Sequence, residues 1–181
     1  IIIPCYNEEK NLPSLIDALR PKLEQLAQDY EVKFSLIFVD DGSTDNTANI
    51  LQTMSLPVST KILLLSRNFG KEYALSAGID HAQNQAVIIM DADLQHPMDK
   101  LDFMLEQGLG GMDVVFAYKK DRNNEPPLRR FLVRHYYKLI NAGQRNKMPP
   151  DAGDFRFISE RAVRALQNLP ENQRFMKGMY H

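Results

Sequence analysis

The chain has 181 residues and a mass of 20.8 kDa, with 44% hydrophobic residues, 25% charged residues and a formal net charge of −1. This length and composition fit one ordinary domain with a sizeable core, spanning 1–181, and exclude a disordered chain. No apolar run nears the roughly 20 residues of a bilayer-spanning helix, no charged start with an apolar stretch marks a signal peptide, and a single cysteine, Cys5, excludes a disulfide framework or a cysteine-rich zinc site. A cytosol-facing domain is expected.

In chain order, short apolar runs at residues 1–3, 35–39, 62–65, 86–90 and 114–117 are too short for helices and rich in Ile, Val, Leu and Phe. They read as buried strands. Between them lie helical patterns. Leu12, Leu15, Ile16, Leu19, Leu23 and Leu26 keep one face of a helix, and residues 45–54, 71–82 and 97–107 are further candidates. Pro97 suits a first helical turn and Gly108 a helix end. Strands alternating with helices predict an α/β fold with a Rossmann-like, mostly parallel sheet flanked by helices.

A polar cluster follows every apolar run: Pro4-Cys5-Tyr6-Asn7-Glu8-Glu9, Asp40-Asp41-Gly42-Ser43-Thr44-Asp45, Arg67-Asn68-Phe69-Gly70-Lys71, Asp91-Ala92-Asp93-Leu94-Gln95-His96 and Lys119-Lys120-Asp121-Arg122. In a parallel sheet all five meet at the carboxyl edge, where open α/β sheets bind ligands. Asp91 and Asp93, one residue apart after a buried strand, are able to address one ion, and two carboxylates suit Mg²⁺ or Mn²⁺ shared with a diphosphate. Gln95 and His96 lie within reach of the same edge. Residues 40–45 also suit plain turn chemistry, and Asn7, Glu8 and Glu9 an acid-rich helix start. Cys5 and the other histidines read as structural or incidental.

Charge is uneven. Residues 118–147 hold nine Lys or Arg against two acids, a net +7, leaving 13 bases and 21 acids elsewhere. On a helix over 127–142, Leu128, Phe131, Leu132, His135 and Leu139 share one side and Arg130, Arg134 and Lys138 the other. Such a helix suits an anionic membrane surface, and equally an ordinary packed helix with a wet basic face. Nucleic acid is disfavoured as a partner, because acids at the sheet edge repel phosphates. The absence of G-x-G-x-x-G after the first strand and of G-x-x-x-x-G-K-[ST] disfavours a dinucleotide dehydrogenase and a P-loop enzyme.

Pro4-x-Tyr6-Asn7-Glu8, Val39-Asp40-Asp41-Gly42-Ser43-Thr44-Asp45, Arg67-Asn68-x-Gly70-Lys71, Met90-Asp91-Ala92-Asp93-Leu94-Gln95-His96-Pro97 and Asp154-Phe155-Arg156 together resemble family 2 glycosyltransferases, nearest to the polyprenyl-phosphate group that includes bactoprenol glucosyltransferases and dolichol-phosphate mannose synthases. The resemblance runs along almost the whole chain. It implies a GT-A fold, a nucleotide-diphosphate sugar donor (a UDP-sugar favoured over a GDP-sugar), and metal-dependent inverting transfer to polyprenyl phosphate. A saccharide hydroxyl acceptor is the alternative. The implied donor site is Pro4, Tyr6, Asn7, Glu8, Asp40, Asp41, Lys71, Asp91, Ala92 and Asp93, with the metal at Asp91, Asp93 and Gln95. Asp154, with Asp151 and Arg122, is the implied catalytic group, and Arg122, Arg130, Arg134 and Arg156 the implied acceptor-phosphate set. The group commonly continues into carboxyl-terminal membrane helices, so these residues are expected to be a catalytic domain at the cytoplasmic face of a membrane, with a homo-oligomer left open.

Overall fold

The computed structural model describes residues 1–56, 58–83, 85–95, 98–118 and 152–169. They form six strands and five helices in the order β1 (Ile2–Cys5), α1 (Leu12–Asp29), β2 (Ser35–Asp40), α2 (Thr47–Thr53), β3 (Ser59–Leu64), α3 (Lys71–Asp80), β4 (Val87–Ile89), α4 (Lys100–Leu109), β5 (Val114–Tyr118), β6 (Ala152–Ile158) and α5 (Glu160–Gln167). All six strands join one sheet, ordered β3-β2-β1-β4-β6-β5. β1 pairs in parallel with β2 and β4, and β2 with β3.

Strand periodicity divides the core between the two faces of the sheet. Ile3 and Cys5 of β1, Leu36 and Phe38 of β2 and Phe155 and Phe157 of β6 pack with α1, Leu51 of α2 and Leu101, Met104 and Leu105 of α4. Ile2, Ile37, Val39, Ile89 and Ile158 pack on the opposite face against Ala74, Leu75 and Ile79 of α3 and Val163 and Leu166 of α5. The α1 stripe expected from the sequence is buried at all six positions, and the helix runs through Pro21. Burying these six side chains contributes roughly 1.5–3 kcal/mol each before the entropy cost.

Two elements lie beyond the sequence expectations. β6, which carries the Asp154-Phe155-Arg156 motif, is a strand inserted between β4 and β5 and antiparallel to both. The alternation Asp154-Phe155-Arg156-Phe157 has the period of a strand, but its central position rests on pairing with β4 and β5 across long sequence separations, which local pattern does not encode. α5 follows it, capped by the Ser159 side chain accepting the Ala162 N–H at 3.2 Å. The antiparallel direction has a consequence for the site. β6 begins at the edge where β1 to β4 end, so its first residues join their carboxyl-end loops.

Candidate active site

The loops after β1 and β2 are stitched together by side chains that accept or donate across the gap. The Asn7 N–H donates to Ser43 Oγ at 2.9 Å, and Asn7 Oδ1 accepts the Thr44 N–H at 2.8 Å. The Glu8 N–H donates to Thr47 Oγ1 at 2.7 Å, and the Glu9 N–H to Asp45 Oδ2 at 3.2 Å. In return, Glu9 Oε2 accepts the Asn46 N–H at 3.0 Å. Thr47 is fully buried, so its hydroxyl fixes the backbone at Glu8 from within the core. Burial raises the Asp45 pKa, but the Thr47 hydroxyl and the N–H groups of Thr47 and Glu9 outweigh it and hold the carboxyl below its usual range.

Asp41 performs the same service for the next loop. It is 3% exposed, and its two carboxylate oxygens accept the N–H groups of Phe69 and Gly70, each at 2.8 Å. Gly42 lies against this loop at φ 67°, where a Cβ would meet the Arg67 carbonyl carbon at 2.3 Å, so no larger residue fits. Gly70, at φ 99°, turns the chain into α3 and presents Lys71 as its first residue. On the outer side, the Arg67 guanidinium lies 4.8 Å from the Phe69 ring centroid, and Phe69 leans on Tyr73.

At the end of β4, Asp91 and Asp93 leave the sheet. Asp93 Oδ1 accepts the Gln95 N–H at 3.0 Å, a local turn that orients the carboxylate. Asp91 Oδ1 lies 2.5 Å from Lys71 Nζ. These groups share a cavity of about 330 Å³ lined by Pro4, Cys5, Tyr6, Glu8, Asp41, Asn68, Gly70, Lys71, Ala74, Asp91, Ala92 and Asp93. Four acidic residues and one lysine thus line the same cavity. An anionic diphosphate in such a cavity would meet an excess of negative charge, which a cation beside it would offset. Among the described residues no three His, Cys, Asp or Glu side chains cluster to hold a metal, so a cation here needs ligand or water oxygens besides Asp91 and Asp93. That donor set fits Mg²⁺ or Mn²⁺, which keep phosphate and water ligands. Burial, then the nearby Glu8 and Asp40 carboxylates, push the Cys5 thiol pKa far up, so this wall residue is a neutral thiol.

Of the residues expected at the donor and metal sites, Pro4, Tyr6, Glu8, Asp41, Lys71, Asp91, Ala92 and Asp93 line the cavity. Asn7, Asp40 and Gln95 do not. Asn7 is turned into the 43–44 loop. Asp40 is 3% exposed and accepts the Ser43 hydroxyl and N–H, closing its own turn. Gln95 is exposed and serves Asp93 through its backbone. Arg156, expected on the acceptor side, is 3% exposed inside β6 and does not line this cavity. Cys5, Asn68, Gly70 and Ala74 line the wall without having been singled out. Asn68 and Gly70 lie in the segment that supplies Lys71, which was the available signal. Asp154 lies in β6 with its side chain outside the described residues. Asp151, Arg122, Arg130, Arg134, His96, Pro97 and the basic helix expected over 127–142 also lie outside them.

Residues 1–167 match glycosyl transferase family 2. The chain belongs to that family. It is 42% identical over 181 residues to the uncharacterized glycosyltransferase sll0501 of Synechocystis, and 37% identical over 180 residues to the bactoprenol glucosyl transferase of Shigella phage SfV. Each match covers 99% of this chain but only 56% and 57% of the relative, so the chain spans little more than half the length of these proteins. The fold is that of the GT-A glycosyltransferases. Glucosyl-3-phosphoglycerate synthase from Mycobacterium tuberculosis, solved with Mn²⁺, UDP-glucose and phosphoglyceric acid, superposes with a TM-score of 0.59 at 20% identity, covering 89% of this chain and 56% of that one. Among the described residues, no helix is long and apolar enough to cross a membrane.

Proposed function

We propose that residues 1–181 are one catalytic domain that transfers a sugar, with inversion, from a nucleotide-diphosphate sugar to polyprenyl phosphate at a membrane surface. The observation that carries this reading is the cavity at the sheet's carboxyl edge, lined by four acidic residues and one lysine. Tyr6, Glu8 and Asp41 lie on its β1–β2 side, suited to a nucleoside, and Asp91 and Asp93 on its β4 side, suited to a diphosphate with Mg²⁺ or Mn²⁺. When bound there, the divalent cation offsets the charge that develops on the departing nucleoside diphosphate. The stitched loops hold Tyr6 and Glu8 in place before the donor arrives, which lowers the ordering cost of binding.

β6 supports an acceptor on the remaining side. Its antiparallel register pairs Ile89 with Arg156, and continued two places it runs toward residues 91 and 154. Asp154 is therefore the candidate acceptor-side carboxylate. A phosphate acceptor, mostly ionised at neutral pH, needs little deprotonation, so Asp154 orients more than it removes a proton. The bactoprenol glucosyl transferase likeness and the +7 segment favour a lipid phosphate, with Arg122, Arg130 and Arg134 as its ligands, and the neighbour solved with UDP-glucose favours a UDP-sugar as donor. The test is incubation with radiolabelled nucleotide sugars, Mn²⁺ and a short polyprenyl phosphate. Label is expected in a lipid-linked sugar phosphate. Label passing to a neutral saccharide with none in lipid would move the acceptor to a hydroxyl, and no transfer from any donor would refute the reading.

A further inference from the structure

The Lys71–Asp91 pair joins two elements of opposite character. Lys71 is rooted on a backbone that Asp41 fixes through Phe69 and Gly70, whereas its ammonium sits at the end of a four-carbon stem with several rotatable bonds. Asp91 stands at the end of β4, beside Asp93 in the same cavity. The side chains of Lys71 and Asp91 are 39% and 25% exposed, so water reaches the pair, and ion pairs of this kind exchange readily. Their separation of 2.5 Å puts the ammonium against Asp91 Oδ1, on a carboxylate suited to a divalent cation. A divalent cation on the same carboxylate would stand close to that ammonium, and two positive charges at such a distance repel.

We infer that Lys71 is the resident counter-cation of Asp91, displaced when the divalent cation enters, and that its ammonium then turns to the donor's diphosphate. This rests on the proposed donor site and deepens it. The exchange keeps a positive charge on Asp91 in both states, so the carboxylate cluster is never left without a cation nearby. It also couples metal to donor. The metal alone must compete with an ammonium, whereas metal arriving with a diphosphate gives that ammonium a new partner, and such differential interaction makes the two bind better together than apart.

The test is Mn²⁺ binding to the 181-residue protein, followed by the electron paramagnetic resonance signal of free Mn²⁺, with and without UDP-glucose. In Lys71→Met, Mn²⁺ alone should bind about fivefold more tightly than in wild type, the size expected for removing a competing, partly exposed ion pair. With UDP-glucose present the order should reverse, and Lys71→Arg should restore wild-type behaviour in both. Lys71→Gln serves as a second neutral variant, and thermal melting checks that each is folded. Neutral variants that bind Mn²⁺ alone no better than wild type would overturn the exchange while leaving the donor site standing. Wild type that binds Mn²⁺ neither alone nor with UDP-glucose would overturn both.

Discussion

The two halves of the sheet's carboxyl edge are held by different physics. On the β1–β2–β3 side, Asn7, Asp41, Asp45 and Thr47 hold backbone N–H groups of neighbouring loops, with Asp41 and Thr47 buried. Such bonds are costly to leave unmade, so these loops have one arrangement. On the β4 side, Asp91 pairs with a lysine on a flexible stem and, among the described residues, Asp93 accepts only the N–H of Gln95 in its own turn. Charge there can be exchanged without unfolding anything. The difference suggests a division of labour in which the first half recognises by shape and the second responds to cations.

The largest expected effect breaks the second half. Asp93→Asn should retain its fold by circular dichroism yet lose turnover by at least about a hundredfold, because compensation of leaving-group charge is worth several kcal/mol. Wild-type rates in that variant would remove the metal from the account. Next, Asp41→Asn replaces one acceptor with a donor facing a backbone N–H. Unfolding in urea should show a loss of about 1–3 kcal/mol, together with weaker UDP binding, since the 67–71 loop loses its anchor. The family resemblance implies Asp41 as a donor-site ligand, and an affinity loss without a stability loss would favour that simpler role.

The same two halves explain what the sequence made legible. Alternation of strands and helices, the α1 stripe and the convergence of polar clusters are properties of period and order, and all five expected strands lie within a few residues of their expected places. Consecutive residues are where it failed. Asp40 and Asp41 adjoin at a strand end, where successive side chains point to opposite faces, so only one of them was able to reach the cavity. Asp91 and Asp93, two apart, both reach it, as do Tyr6 and Glu8, with Asn7 turned away between them. β6 was missed because its place between β4 and β5 depends on pairing across long sequence separations, which local pattern does not encode.

Smaller effects sharpen the contrast. Thr47→Val keeps the volume but leaves the Glu8 N–H without its acceptor, at a cost of about 1 kcal/mol. Its donor KM should rise with kcat little changed, and Thr47→Ser should recover both. The smallest effect is pH-dependent. The Asp45 carboxyl titrates below its ordinary value of 3.8 in the folded state, so its contribution is present above that value and is lost as pH falls through the lower, folded one. The difference in melting temperature between wild type and Asp45→Asn should therefore shrink on acidification below pH 3.8 and stay level above it.

The central claim is that this cavity takes a nucleotide sugar only in company with a divalent cation, and calorimetric titration of UDP-glucose into the protein tests it most directly. Binding is expected with Mn²⁺ present, to vanish in excess chelator, and to be lost in Asp93→Asn under both conditions. Equal affinity with Mn²⁺ and with chelator would contradict the account.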